Sequence, residues 1–266
     1  MASTYTAGDA AAYERLMGRW SPLLAERLIA FAGLEKSETV LDLGCGTGSL
    51  ALALARRTEP GHILGVDIAP PYVAYAAARS ADPRLAFHIG DAARLDLADA
   101  SVDRSFSLLA LNFMAAPSRA LAELARVTRP GGTIAAAVWD FTGGLVYQRI
   151  FWDTAAALDA AAARARARQL SSPLTNDGEL AAAFAAAGLK EVEACTLTIR
   201  QAYQGFDDYW QPIRNAEGPV GDYVKRLPPE RLAALEAALE AAYCAGGADG
   251  PRSFAASAWA AKGSVG

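Results

Sequence analysis

The sequence predicts an α/β protein built on a parallel sheet, and three observations carry that prediction. Thr39–Leu43 is an apolar run containing one acid, Asp42; three glycines follow at alternate positions (Gly44, Gly46, Gly48), then a run of helix formers, Leu50–Arg57. Similar apolar runs recur at Ile63–Asp67, Leu85–Ile89, Val102–Ala110 and Thr133–Asp140, with helix-forming segments between most of them. The runs lack the polar alternation of a half-exposed strand, as expected of parallel strands covered on both faces.

Two helices precede the first strand, over Asp9–Met17 and Pro22–Phe31, the second carrying Leu24, Leu28 and Phe31 at helical spacing. Between them lies Gly18-Arg19-Trp20-Ser21, read either as a helix junction with Trp20 in the core or as a lid in which Tyr13, Arg19 or Trp20 closes on a ligand. In the glycine turn, residues with positive φ let a ligand lie against bare backbone, and the helix behind it offers free N–H groups. The spacing is G-x-G-x-G; the dinucleotide fingerprint would place its third glycine at Ser49. Asp67 closes the second strand 19 positions after Gly48, where an acid can chelate a ribose diol.

At this point the chain resembles a family. Val40-Leu-Asp-Leu-Gly-Cys-Gly-Thr-Gly48 is similar to motif I of the class I S-adenosylmethionine-dependent methyltransferases. Ile89-Gly-Asp-Ala92 and Val127-Thr-Arg-Pro-Gly-Gly-Thr133 fall where that family has its adenine loop and its turn into strand five. The resemblance covers residues 36–140 well and the remainder in outline, and it is nearest to the small-molecule branch that includes ubiquinone and menaquinone methyltransferases. It implies a single Rossmann-like domain over 1–266: N-terminal helices (1–35), a cofactor core (36–140), helical insertions with strand six on the substrate side (141–225), and a C-terminal helix and last strand (226–266). It also implies seven strands, mostly parallel, with helices on both faces and an antiparallel last strand. The implied cofactor is S-adenosylmethionine, leaving S-adenosylhomocysteine. Its implied contacts are Asp42, Gly44, Cys45, Gly46, Thr47, Gly48, Asp67, Ile68, Gly90, Asp91, Ala92, Ala110, Leu111 and, from the N-terminal segment, Arg19.

Along the rest of the chain, Pro70-Pro71 opens a helix that runs to about Arg79, and His88 within the third strand reads as a structural histidine. Asp103 marks the start of strand four. That strand exits into Leu111-Asn-Phe-Met114, at the carboxyl rim where open α/β sheets bind ligands. The Asn/Asp-Pro-Pro-aromatic motif of nucleobase amino-methyltransferases is missing there, so Asn112 and Phe113 become candidate acceptor-facing residues. A helix from Pro117 carries Leu121, Leu124 and Val127 on one side. Trp139 and Asp140 end strand five at the same rim, Trp139 as core or pocket wall. Leu145–Leu170 is mostly helical, Asn176 or Asp177 caps a helix over Glu179–Ala187, and Val192–Ala202 is a strand. Phe206–Arg214 is rich in aromatic residues, Pro228–Tyr243 is a helix and Ser253–Ala261 the last strand.

The reaction this implies is in-line methyl transfer to a small-molecule acceptor. No residue stands out as a general base; Asp140 and Tyr147 are the candidates. Trp20, Asn112, Phe113, Trp139, Tyr147 and Trp210 are candidates for the acceptor site, because small-molecule pockets are mostly apolar. A non-catalytic S-adenosylmethionine-binding protein is the alternative; a nicotinamide-dependent oxidoreductase is disfavoured by Ser49. The formal charge of −4 predicts no attraction to nucleic acid or an anionic membrane surface. The alternate arginines Arg164, Arg166 and Arg168 read as a solvated helix face. Between Arg104 and Arg119 lie 14 uncharged residues, too few to span a bilayer. Three scattered cysteines suggest neither disulfides nor a metal site. With Met1–Asp9 lacking the basic and apolar regions of a signal peptide, the expectation is a cytoplasmic monomer or homodimer.

Overall fold

The computed structural model describes residues 8–57 and 59–266. The stretch read for a signal peptide lies, through residue 7, outside the described residues. Seven strands form one mixed sheet: β1 (Glu38–Leu43), β2 (Pro60–Asp67), β3 (Leu85–Ile89), β4 (Val102–Leu108), β5 (Thr128–Trp139), β6 (Lys190–Tyr203) and β7 (Arg252–Ser264). Their order is β3-β2-β1-β4-β5-β7-β6, so the chain reverses direction across the sheet between β1 and β4. The first five strands pair in parallel, and β7 lies antiparallel between β5 and β6. The crevice outside the carboxyl ends at such a switch point is where this architecture binds ligands.

Both faces of the central strands are buried, which explains their unbroken apolar runs. On one face Val40, Phe106, Ala135 and Ala137 pack with Leu24 and Leu28 of α2 (Ser21–Ala32) and Leu50 and Leu54 of α3 (Ser49–Ala55). On the other, Leu41, Leu43, Ile134 and Val138 meet Leu121, Leu124 and Val127 of a helix over Pro117–Val127 and Phe184 of one over Glu179–Ala186. That alternation is the period of two expected of a strand.

The N-terminal edge of the sheet is held by buried polar pairs. Glu38 and Arg104 have side chains 4% and 7% exposed, and the guanidinium donates to both carboxylate oxygens at 2.9–3.1 Å and to Ala32 O. Ser105 and Thr128 share a hydroxyl bond of 2.7 Å. Asp103 marks the start of β4 as expected: it accepts from Thr39 N and pairs with Arg129.

The β6–β7 hairpin is longer than the sheet it joins. β5 pairs with β7 only over Ala258–Ser264, whereas β6 pairs with β7 from Arg252 onward. Residues 252–257 and 198–203 therefore project beyond the carboxyl end of β5. The cap rests on this projection: a helix over Val146–Leu158, one over Phe206–Arg214 (here the cap helix) and one over Pro229–Cys244.

Several expectations change. The helical stretch after Leu145 breaks at Asp159, whose carboxylate caps the second piece, Ala160–Leu170, by accepting from Ala161 N. The aromatic segment Phe206–Arg214 is a helix, and a short helix over Gly218–Val224 follows it. His88 lies on the outermost strand and is exposed rather than a core histidine. Neither Asn176 nor Asp177 caps the helix at Glu179 through its side chain; instead the Glu179 carboxylate accepts from the backbone and side-chain amides of Asn176.

Glu38→Ala is expected to lower unfolding free energy by about 3–5 kcal/mol, because it leaves Arg104 buried without its partner. The double variant Glu38→Met/Arg104→Leu should recover most of that loss; urea denaturation of both measures it.

Candidate active site

The glycine turn follows from the needs of the chain between β1 and α3. Gly44, Gly46 and Gly48 have φ of +72°, +53° and +89°, a region that costs other L residues about 1–2 kcal/mol each. The first two serve different ends. A Cβ on Gly44 would overlap that of Ala110, on the exit of β4, so Gly44 is glycine because two strand ends meet there. A Cβ on Gly46 would have the Tyr72 ring as its nearest neighbour, at 3.9 Å, so the backbone there stands open.

Two carboxylates fold the turn. Asp42 Oδ2 accepts from Ala51 N in the first turn of α3 at 3.0 Å. Asp67 Oδ2 accepts from Gly46 N at 2.9 Å, and its Oδ1 accepts from Ala69 N at 2.9 Å. Burial raises both carboxyls, Asp42 to about 7, and the nearby Asp67 charge adds to the rise of Asp42. Asp42 is 1% exposed, and its Oδ1 has no hydrogen-bond partner among the described residues. Burial also pushes the Cys45 thiol far up, which keeps it protonated and unreactive.

Beyond Asp67 the rim is apolar and open. Ile68 and Ile89 are 57% and 61% exposed, and Ile89 stands opposite Asp67 in the β2–β3 register. Gly90 N donates to Asp67 O, and the exposed Asp91 turns the chain by accepting from Ala93 N, with Ala92 half-buried between. The expected adenine-side residues thus gather along one edge.

The N-terminal segment lies against the turn. It runs as a short helix (Ala10–Tyr13) and then a π-helical turn, Glu14–Gly18. Tyr13 packs on Tyr72 with ring centroids 5.4 Å apart. The Glu14 carboxylate accepts from the Thr47 hydroxyl at 2.5 Å and pairs with Arg79 at 3.2 Å, while Arg79 also donates to Thr47 O. Sequence reasoning missed Glu14; its one local signal is its place beside Tyr13 in the candidate lid. Arg19 reaches toward the cap. Its guanidinium forms a two-pronged pair with Asp208 of the cap helix at 2.6 and 3.1 Å, stacked 4.4 Å over the Trp20 ring. Trp20 itself is buried, 5.5 Å from the Tyr203 ring.

The remaining candidates divide between the rim and the cap. Leu109 takes φ +61° at the end of β4 and turns the chain into Leu111–Phe113. Asn112 is 2% exposed, with neither amide atom bonded among the described residues, and Phe113 meets Phe141 edge-on at 6.2 Å. Trp139 is core, 3% exposed. Asp140 Oδ1 accepts from Thr142 N, Thr142 Oγ1 and Gly143 N, which shapes the loop after β5. The Tyr147 hydroxyl lies 3.2 Å from Met17 Sδ and accepts from Gln148 Nε2. Trp210 is fully buried in the cap. Among the described residues no group of three or more His, Cys, Asp or Glu could hold a metal ion, and no helix is long and apolar enough to cross a membrane.

A seven-stranded sheet with this glycine turn and acid at its switch point is an α/β architecture that binds ligands there, and comparison with known proteins narrows the class. Residues 41–136 match the family model described as a methyltransferase domain. The chain is 35% identical over 113 residues to a malonyl-[acyl-carrier protein] O-methyltransferase of Marinomonas sp., covering 42% of each protein. It is 31% identical over 114 residues to the ubiquinone/menaquinone biosynthesis C-methyltransferase of Bdellovibrio bacteriovorus, covering 42% of this chain and 48% of that one. The matches thus span less than half of either relative. Its fold is that of a Haemonchus contortus phosphoethanolamine N-methyltransferase in complex with S-adenosyl-L-methionine, with a TM-score of 0.61 at 17% identity over 97% of this chain and 57% of the other. The methyltransferase-domain match thus covers residues 41–136, and the chain as a whole shares its fold with methyltransferases of solved structure.

The raised Asp42 carboxyl has a consequence for stability. Between about pH 4 and 7 the folded chain holds a proton there that the unfolded chain has released, so stability falls as pH rises through that window and levels off above it. Asp67 acts in the same direction. Asp42→Asn, which keeps an oxygen for Ala51 N–H, is expected to flatten that slope by up to about 4 kcal/mol across the window. Urea midpoints measured at half-unit pH steps decide it.

Proposed function

We propose that the chain binds S-adenosylmethionine in the crevice outside β1, β2 and β4 and transfers its methyl group to a small-molecule acceptor. The observation that carries this reading is the glycine turn: an open Gly46 backbone held by Asp67 at the end of the next strand. The residues present fit the cofactor. Asp67 uses one lone pair on each oxygen within the turn, and its others suit a ribose diol. Ile68 and Ile89, both exposed at this rim, suit the apolar faces of a purine, with Asp91 following Ile89 for its amino group. The partnerless Asp42 Oδ1 and Asn112 amide are buried polar atoms at the same rim, of the kind a polar ligand satisfies.

When bound, the cofactor supplies a methyl group on a sulfonium centre, whose transfer leaves the C–S electron pair on sulfur and a proton to be lost by the acceptor. The protein binds, orients and keeps water out. Orientation alone can lower such a barrier by about 7–11 kcal/mol. Glu14 holds the N-terminal segment across the turn, the lid role considered for this stretch, and so excludes water from it. Asn112 and Phe113, at the exit of β4, face the acceptor side. We assign no general base. Asp140 Oδ1 already accepts three bonds within its own loop, and the Tyr147 hydroxyl is enclosed. Three free cysteines suit a reducing compartment such as the cytoplasm.

The nicotinamide alternative is disfavoured because Ser49 stands where that fingerprint has glycine. Calorimetric titration with S-adenosylmethionine, S-adenosylhomocysteine and NADH in parallel tests the assignment. The adenosyl pair is expected to bind at micromolar concentration and NADH not at all; binding of NADH alone would refute the reading. Asp67→Ala should weaken S-adenosylhomocysteine binding by about 1–3 kcal/mol, and unchanged affinity would remove Asp67 from the ribose site. Binding without methyl transfer to any acceptor in a screen would favour a non-catalytic S-adenosylmethionine-binding protein.

A further inference from the structure

Gln201 is the one fully buried side-chain amide on the β6–β7 projection. It is 0% exposed, and neither Nε2 nor Oε1 has a hydrogen-bond partner among the described residues. Leaving such a group unpaired is costly, so a chain selected for stability alone would place an apolar residue there. Gln201 shares the inner face of β6 with Ile199 and Tyr203 and stands directly opposite Phe254. The rings around that position form a continuous wall. Tyr203 lies 5.5 Å from Trp20, 5.7 Å from Tyr209 and 5.7 Å from Phe254, and Tyr209 lies 6.4 Å from Phe254. Burial holds the Tyr203 and Tyr209 hydroxyls neutral by raising both far above their ordinary range.

A surface groove lies next to this wall, with Arg19 between them. A groove of about 390 Å³ is lined by Arg15 and Arg19 of the N-terminal segment and by Asp207, Asp208, Gln211 and Asn215 of the cap. Arg19 forms its inner lip, with the guanidinium over the Trp20 and Tyr203 rings at 4.4 and 5.5 Å. Asp208 is the ion-pair partner that keeps the guanidinium in place.

We propose that Gln201, set among Trp20, Tyr203, Tyr209 and Phe254, recognises the acceptor, a neutral aromatic ring bearing a hydroxyl group, which reaches it from the groove that Arg19 closes. The chemistry follows from the wall. A wall of aromatic rings favours a planar apolar body. A single hydroxyl both donates and accepts, so it can satisfy Oε1 and Nε2 together. A site built to bond a hydroxyl rejects the analogue that lacks it. The inference rests on the methyltransferase reading, since it names the acceptor of that reaction.

The test uses the full chain with S-adenosylhomocysteine present. Binding of 2-naphthol and 4-ethylphenol is compared with that of naphthalene and ethylbenzene, followed by tryptophan fluorescence. The wild type is expected to bind the hydroxylated member of each pair about tenfold more tightly. Gln201→Met and Gln201→Leu should lose that preference while melting no lower than the wild type, because they remove an unpaired amide. Arg19→Ala should speed association of 2-naphthol and keep the preference. A preference that survives in both Gln201 variants overturns the proposal, as does the absence of phenol binding to a protein that binds S-adenosylhomocysteine. A lower melting temperature in both variants would also overturn it, by revealing a structural partner such as a buried water. A wild type that fails to bind S-adenosylhomocysteine would sink the methyltransferase reading and this inference with it.

Discussion

The ligand end of the molecule depends on two carboxylates that fold one turn. Asp42, at the end of β1, takes the Ala51 N–H, and Asp67, at the end of β2, takes the Gly46 N–H. Three backbone sites at positive φ would otherwise leave the segment between strand and helix free to sample many conformations. With both bonds in place, the ends of two strands and the start of α3 are fixed relative to one another. The close approach of Gly44 to Ala110 extends that reference to β4. The cost is a carboxyl buried at the centre of the sheet, where desolvation opposes its charge.

From that turn the N-terminal segment carries the geometry across to the cap. Glu14 fastens one end to Thr47 and Arg79, and Arg19 fastens the other to Asp208 and Ala202 O. Gly18 lies between them because a Cβ there would overlap the Glu14 carboxylate. The six residues Glu14–Arg19 therefore tie the glycine turn to the cap helix, two elements far apart in sequence. On the proposed function, loss of either fastening uncovers both sites, which gives a physical reason for cofactor and acceptor binding to be coupled.

The parallel core was legible in the sequence because its signals are local. The glycines sit next to the strand they follow, and an acid at a fixed spacing closes the next one. The cap was legible only in part. Arg19 beside Trp20 reads locally as a candidate ligand-binding pair, and its partner Asp208 is 189 positions away. Gln201 left no trace, because one amide in an alternating strand looks like any surface glutamine until the sheet shows which face is covered. Phe206–Arg214 carries its aromatic residues at helical spacing, yet its Pro212 and paired aspartates obscured the helix. His88 looked internal because its strand is apolar; β3 lies at the sheet edge and leaves it exposed.

The two ends of the sheet treat buried polarity in opposite ways. At the N-terminal edge Glu38, Arg104, Ser105 and Thr128 are all buried, and each has its partner. Toward the carboxyl ends of the strands and in the cap, Asp42 Oδ1, the Ser49 and Ser107 hydroxyls, both Asn112 and both Gln201 amide atoms, Gln169 Oε1 and the Trp152 and Trp210 indole nitrogens are buried without one among the described residues. Desolvation penalises unpaired groups wherever they lie, so random placement would scatter them through the fold. Their concentration toward one end matches the expectation that a chain departs from full pairing where a ligand completes it. The paired edge supplies stability, and the unpaired one retains the hydrogen-bonding capacity that recognition requires.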